Sequence, residues 1–156
     1  MFSHPLKKVL LSGLLVGTLD ILAAFVDYRI STGKENVTII LNYIASGIFG
    51  KAAYTDGMGY PLLGLLLHYV IAFSFTLLFF WLYAKTSLLS KNWIVTGIVY
   101  GIFIWLVMNL VVVQLSNTSH AAISAMKFTK VLKSALILIC MIGLPLSFIA
   151  NKTSKK

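Results

Sequence analysis

The chain has 156 residues, of which 59% are apolar and 11% charged, and its mean hydropathy is +0.93. A soluble domain carries about 25% charged residues, so the composition excludes a water-facing surface over most of the molecule and leaves one domain, residues 1–156, embedded in hydrocarbon. Thirteen basic residues against four acids give a net charge of +9; most lysines flank apolar runs, where they meet anionic headgroups, and no basic run with exposed aromatics argues for nucleic acid.

The first span is expected at about 9–30, after Lys7-Lys8 and before the polar turn Ser31-Thr32-Gly33-Lys34-Glu35-Asn36. That length crosses a hydrocarbon core of about 30 Å. Asp20 interrupts the run, and Leu22-Ala23-Ala24 is a poor cleavage site. The segment therefore reads as an uncleaved span, not a signal peptide.

Residues 37–50 are apolar but too short to cross, since a helix of that length covers roughly 21 Å. Thr38, Asn42, Ser46 and Gly50 recur every four residues and place a thin polar stripe on one face. The expectation is a short interfacial or re-entrant helix. A turn-rich loop follows, and Pro61 suits the first turn of the next helix.

The second span, 62–83, has His68 as its only strongly polar residue and closes on Trp81 and Tyr83. A brief link leads to the third span, 93–113, so these two are expected as antiparallel neighbours. The segment 114–133 carries Lys127, Lys130 and Lys133 at steps of three and reads as an amphipathic lead-in on the headgroups. The fourth span, 134–150, holds Pro145 near its end, where a kink is tolerated. Cys140, the lone cysteine, excludes an internal disulfide and reads as a packing residue. Seven lysines on the terminal side face six basic residues on the other. Those nearest span ends place both termini in the cytoplasm.

Polar residues inside the spans carry what function the sequence offers. Gly13, Gly17, Asp20, Ala24 and Asp27 fall at steps of 4, 3, 4 and 3, on one side of the first helix. Gly13 and Gly17 allow a neighbouring backbone to approach closely. A carboxylate within the bilayer costs about 2.5–3.5 kcal/mol, so Asp20 needs a partner, a proton or water. Asp27 reads as an interfacial residue paired with Arg29.

The second span offers Gly64, His68 and Ala72, and the third Gly97, Gly101, Trp105 and Asn109, again at steps of four. The three stripes are expected to face one another, because lipid would leave Asp20, His68 and Asn109 unpaired. Helical rise puts all three within roughly 10 Å of depth in an alternating bundle. Gln114 and His120 would extend that zone to the surface. An aspartate facing a histidine suits a proton relay or small-ligand site; the alternative is a structural polar knot that fixes helix register.

No metal or cofactor is expected, since the motifs for them do not occur and the histidines are scattered. Ser12, Ser46 and Ser74 are available to a catalytic set, but nothing in the sequence activates one. Asn36-Val37-Thr38 and Asn117-Thr118-Ser119 match the glycosylation triplet.

Gly13 to Ala24 resembles the first helix of small bacterial inner-membrane proteins that form a domain-of-unknown-function family. Ile44 to Gly50, Gly64 to His68 and Val107-Met108-Asn109 are similar to later blocks of that family, so the resemblance reaches about residue 115. It implies a bacterial inner-membrane location and a four-helix fold, with no activity to transfer. The layout is also similar to another uncharacterised inner-membrane family linked to acid resistance, an analogy of fold alone.

The expected fold is thus an all-α antiparallel bundle of four transmembrane helices plus the short helix at 37–50. The leading expectation for function is a polar pocket of Asp20, His68 and Asn109 that binds or passes a proton or small solute, in contact with lipid and as part of an oligomer. The second is an accessory subunit whose glycines (Gly13, Gly17, Gly64, Gly97, Gly101) receive a partner membrane protein's helices. The third is an intramembrane enzyme acting on a lipid.

Overall fold

The computed structural model describes residues 5–55, 57–86, 88–118 and 127–154. Every regular element among them is helical. Helix α1 covers Pro5–Thr32, α2 Thr38–Phe49, α3 Gly59–Lys85 and the short α4 Leu88–Lys91. The third span joins α5, Trp93–Val107, through a π-turn at Met108–Val112 to α6, Val113–Leu115. The fourth joins α7, Phe128–Leu138, through a π-turn at Ile139–Gly143 to α8, Leu144–Ser154.

Four helices are long and apolar enough to cross a membrane: Leu6–Thr32, Gly59–Lys85, Trp93–Leu115 and Phe128–Thr153. Their most apolar windows have mean hydropathies of 2.1–2.3, yet at most 33% of such a window is buried inside the chain. The remaining apolar surface is compatible only with hydrocarbon around the bundle. This is an integral membrane protein of the expected all-α class.

The fourth span starts earlier than its composition suggests. Lys130 and Lys133 lie on the first turns of the spanning helix itself, not on a separate lead-in. Their long stems let the charges reach the headgroups while the helix continues beneath them.

Packing differs between the two halves of the bilayer. Towards the termini the bundle is closed by Phe79, Tyr100, Leu146 and Ala150, with Val16, Phe75, Ile104 and Ile142 beside them. The Tyr100 hydroxyl donates to the Phe75 carbonyl at 2.5 Å. The Phe79 and Tyr100 rings meet edge-on, 4.8 Å between centroids. These rings join the second and third spans, the antiparallel neighbours expected from their short link. At this end Lys8 lies over Phe80, Lys85 over Trp81 and Lys152 over Phe148, as interfacial lysines with apolar stems do.

The third and fourth spans approach most closely, and glycines permit it. A Cβ on Gly97 would lie 2.8 Å from the Leu144 Cα, and one on Gly101 would meet Ile139 Cα at 2.5 Å. Gly143 presses in turn on the Gly97 carbonyl. The close crossing coincides with the π-turn Ile139–Gly143, two residues before Pro145. Proline cannot donate to the carbonyl four residues back, and a widened turn accommodates that loss. Two hydrogen bonds fasten the pair on either side: Trp105 Nε1 to Ser134 Oγ and Ser147 Oγ to the Trp93 carbonyl, both 2.7 Å. Cys140, in the same π-turn, is exposed on the outward side and is not a core residue.

The other half is looser, and α2 covers it. Gly64 of α3 sits against the backbone of Leu41, so α2 lies directly on the second span. Phe49 and Tyr60 rings touch edge-on near the loop between them. Gly64 is five residues into α3, about 7.5 Å below its start, so α2 dips below the rim. Its polar stripe turns inward: Ser46 is buried with Oγ on the Tyr43 carbonyl, and Asn42 Oδ1 is buried without a partner. Both glycosylation-like asparagines have structural roles here. Asn36 Oδ1 accepts from Thr38 N at 3.2 Å. Asn117, just past the third span, donates from its backbone to the Gly47 carbonyl and from Nδ2 to the Ile48 carbonyl, at 3.0 and 3.1 Å.

Candidate functional site

The site begins with two adjacent residues on α3 that grip two adjacent residues on α1. His68 Nε2 lies 2.8 Å from the Gly17 carbonyl oxygen, and the Tyr69 and Thr18 hydroxyls are 2.8 Å apart. Gly17 makes this approach possible: a Cβ there would already sit 3.1 Å from the Ala72 Cβ and from the Tyr69 ring. Gly13, one turn earlier, faces the Phe73 ring. The small stripe of α1 is therefore filled by α3, and the register between the two spans is fixed by side chains at consecutive positions.

His68 is buried, with 8% of its surface exposed. A carbonyl oxygen can only accept, so Nε2 carries a proton. In a neutral ring Nδ1 then holds the lone pair.

Asp20 is one turn beyond Gly17 on the same face of α1. It lines, together with His68, a cavity of about 430 Å³. Ligand sites fall at about 300–1,000 Å³ and are mostly apolar with a few polar groups; this cavity fits that description. Ile21 and Ala24 continue the wall on α1, and Leu67, Ile71 and Phe75 on α3. The fourth span adds Leu138 and Ile142.

Helix α2 supplies the remaining wall with Ile40, Tyr43, Ile44, Gly47 and Ile48. That i, i+3, i+4, i+7, i+8 pattern is one helical face. Ser116 and Thr118, past the end of the third span, mark the polar edge; their hydroxyls are 2.8 Å apart, and Ser116 Oγ donates to the Val113 carbonyl at 2.7 Å. Among the described residues no lysine or arginine lines the cavity. The electrostatic neighbour of Asp20 among the described residues is His68.

Of the three expected pocket residues, the structure brings Asp20 and His68 to one cavity and leaves Asn109 off its lining. Gly97, Gly101 and Trp105 face the fourth span, and Asn109 shares their stripe. Its Nδ2 donates to the Trp105 carbonyl at 2.9 Å within its own helix. The cavity instead receives Ile104, Met108 and Val112, which lie about 100° round the helix from that stripe. Gln114 donates to the Asn109 carbonyl, away from the cavity. His4 and His120 lie outside the described residues.

Asp27 pairs with Lys133 of the fourth span, which also donates to Ser31 Oγ at 2.8 Å, and Arg29 pairs instead with Glu35 at 3.5 Å. The expected Asp27–Arg29 pair is thus replaced, because positions two apart do not face each other on a helix. Of the three serines named as possible nucleophiles, Ser46 and Ser74 donate to carbonyls of their own helices, and the Ser12 hydroxyl is buried without a partner and off the cavity.

Sequence reasoning missed Tyr69, Gly143, the bridge from Asn117 to α2 and the role of α2 as a wall. The signal for α2 was present in the spacing of Ile40, Ile44, Gly47 and Ile48, an apolar face on a segment too short to span. No protein-family model, curated protein or solved structure matches the chain.

Proposed function

We propose that this membrane protein binds a small solute in the cavity between its spans, with Asp20 and His68 as the polar groups that orient it. One observation carries the reading. A chamber of about 430 Å³, walled by all four spans and α2, holds a carboxyl group and a buried imidazole that interact electrostatically among apolar side chains. Carboxylate and imidazole can exchange a proton, so occupancy can be coupled to proton movement.

The accessory-subunit alternative has less support. It rested on glycines free to receive partner helices, and Gly13, Gly17, Gly64, Gly97 and Gly101 each face a neighbour within the chain. We place the protein in a bacterial inner membrane with both termini in the cytoplasm. The support is the sequence resemblance and the lysines of the terminal side that lie nearest span ends, among them Lys7, Lys8, Lys85 and Lys91.

The test is thermal unfolding of the purified chain with four phenyl-bearing probes of similar size: an ammonium, an alcohol, a carboxylate and a trimethylammonium. A probe at a hundred times its Kd adds about 2.7 kcal/mol of stability. At least one is expected to raise the melting temperature of the native chain and to lose that effect in Ala24→Phe, whose ring would project from the α1 wall into the chamber. No shift from any probe, or an equal shift in Ala24→Phe, refutes solute binding in this cavity.

A further inference from the structure

Resting on that reading, we infer that the solute is a lipophilic amine: an apolar body bearing one protonated primary or secondary amino group. The polar groups of the cavity determine this class. His68 donates through Nε2 to the Gly17 carbonyl at 2.8 Å, which leaves Nδ1 of the neutral ring as an acceptor with no donor among the described residues. A cation in the cavity would hold Asp20 ionised, an acceptor only; among the described residues its electrostatic neighbour is His68. The hydroxyl of Ser116 is committed to the Val113 carbonyl, and Tyr43 is 39% exposed on α2. Among the described residues the cavity therefore presents these two acceptors, the hydroxyls of Tyr43, Ser116 and Thr118 at its edge, and no lysine or arginine.

Ligand classes satisfy this differently. An uncharged apolar molecule leaves a carboxylate desolvated among hydrocarbon, which is unfavourable. An anion adds repulsion in a medium where charges are weakly screened. An alcohol brings one donor and no charge. A quaternary ammonium brings charge but no N–H. A primary or secondary ammonium brings charge for Asp20 and a second N–H for Nδ1, through charge-assisted hydrogen bonds. Its apolar body would rest on Ile44, Leu67, Ile71, Ile104, Met108 and Ile142.

The experiment is calorimetric titration of the full chain in detergent micelles at neutral pH with 2-phenylethylamine, 2-phenylethanol, 3-phenylpropanoate and phenylethyl-trimethylammonium. The amine is expected to bind most tightly. Asp20→Asn is expected to weaken it by about tenfold or more, the ratio an ordinary charge-assisted hydrogen bond supplies, while Asp20→Glu retains it. Melting curves of both variants report that the bundle is intact. Equal amine binding by native chain and Asp20→Asn overturns the assignment. Tighter binding of the alcohol, the carboxylate or the trimethylammonium overturns the amine class and leaves solute binding standing. If none of the four binds the native chain better than Ala24→Phe, both readings fall.

Discussion

Replacing Gly97 by alanine tests whether the third and fourth spans meet backbone to backbone. The added Cβ would lie 2.8 Å from the Leu144 Cα and 3.0 Å from the Gly143 oxygen, where ordinary contact is 3.4–4 Å. Those two atoms belong to the main chain, so rotating a side chain does not relieve the overlap. The helices must part by about 0.6 Å, and a gap of that order forfeits a quarter to a half of each dispersion contact along the crossing. The Trp105–Ser134 and Ser147–Trp93 hydrogen bonds, both 2.7 Å, would stretch with it. Overpacking of this kind costs about 1–3 kcal/mol. Gly59→Ala is the control: nothing lies within 4 Å of its Cβ position, and loss of a glycine there stabilises by about 0.4–1 kcal/mol if it acts at all. Gly13→Ala should fall between, because the nearest atoms its Cβ meets belong to the Phe73 ring, which can turn. Equilibrium unfolding in mixed micelles ranks the three. A Gly97→Ala chain as stable as Gly59→Ala would refute the close crossing.

Asn117→Ala removes the side-chain bond to the Ile48 carbonyl and leaves the backbone bond to Gly47. We expect α2 to lose about 1 kcal/mol of local stability, read as roughly fivefold faster amide exchange across residues 38–49; unchanged exchange would contradict the clamp. Asp27→Asn breaks the ion pair with Lys133, whose partners are 34% and 48% exposed. Its cost should stay below about 1 kcal/mol and shrink in high salt, so a larger, salt-independent loss of stability would show that this contact is more than a rim feature.

The spans were legible because a run of apolar residues long enough to cross has few alternatives in water or lipid. The short helix was legible for the converse reason. What composition could not supply was the direction of each stripe. On α1 the small Gly17 and the polar Asp20 share the face turned to α3, and His68 and Ala72 of α3 turn back to it, while Gly64 meets Leu41 of α2 instead. On the third span the glycines turn to the fourth, because Gly143 and its π-turn make a better surface for close approach than the aromatic side of α3. Asn109 follows its glycines and leaves the cavity. A stripe read at steps of four identifies which residues share a face but not which helix that face meets. The Asp27–Lys133 pair joins residues far apart in the chain, and no local spacing encodes it.

The most direct test of the central claim is the protonation and neighbour of the His68 ring, read by solid-state NMR in lipid with labelled histidine nitrogens and a labelled Gly17 carbonyl carbon. The structure requires a proton on Nε2 and a dipolar coupling to Gly17 consistent with the 2.8 Å contact, which turns Asp20 and Nδ1 towards the cavity. A ring protonated on Nδ1 alone, or one without coupling to the Gly17 carbonyl, would mean that α1 presents a different face to α3 and that the site as described does not form.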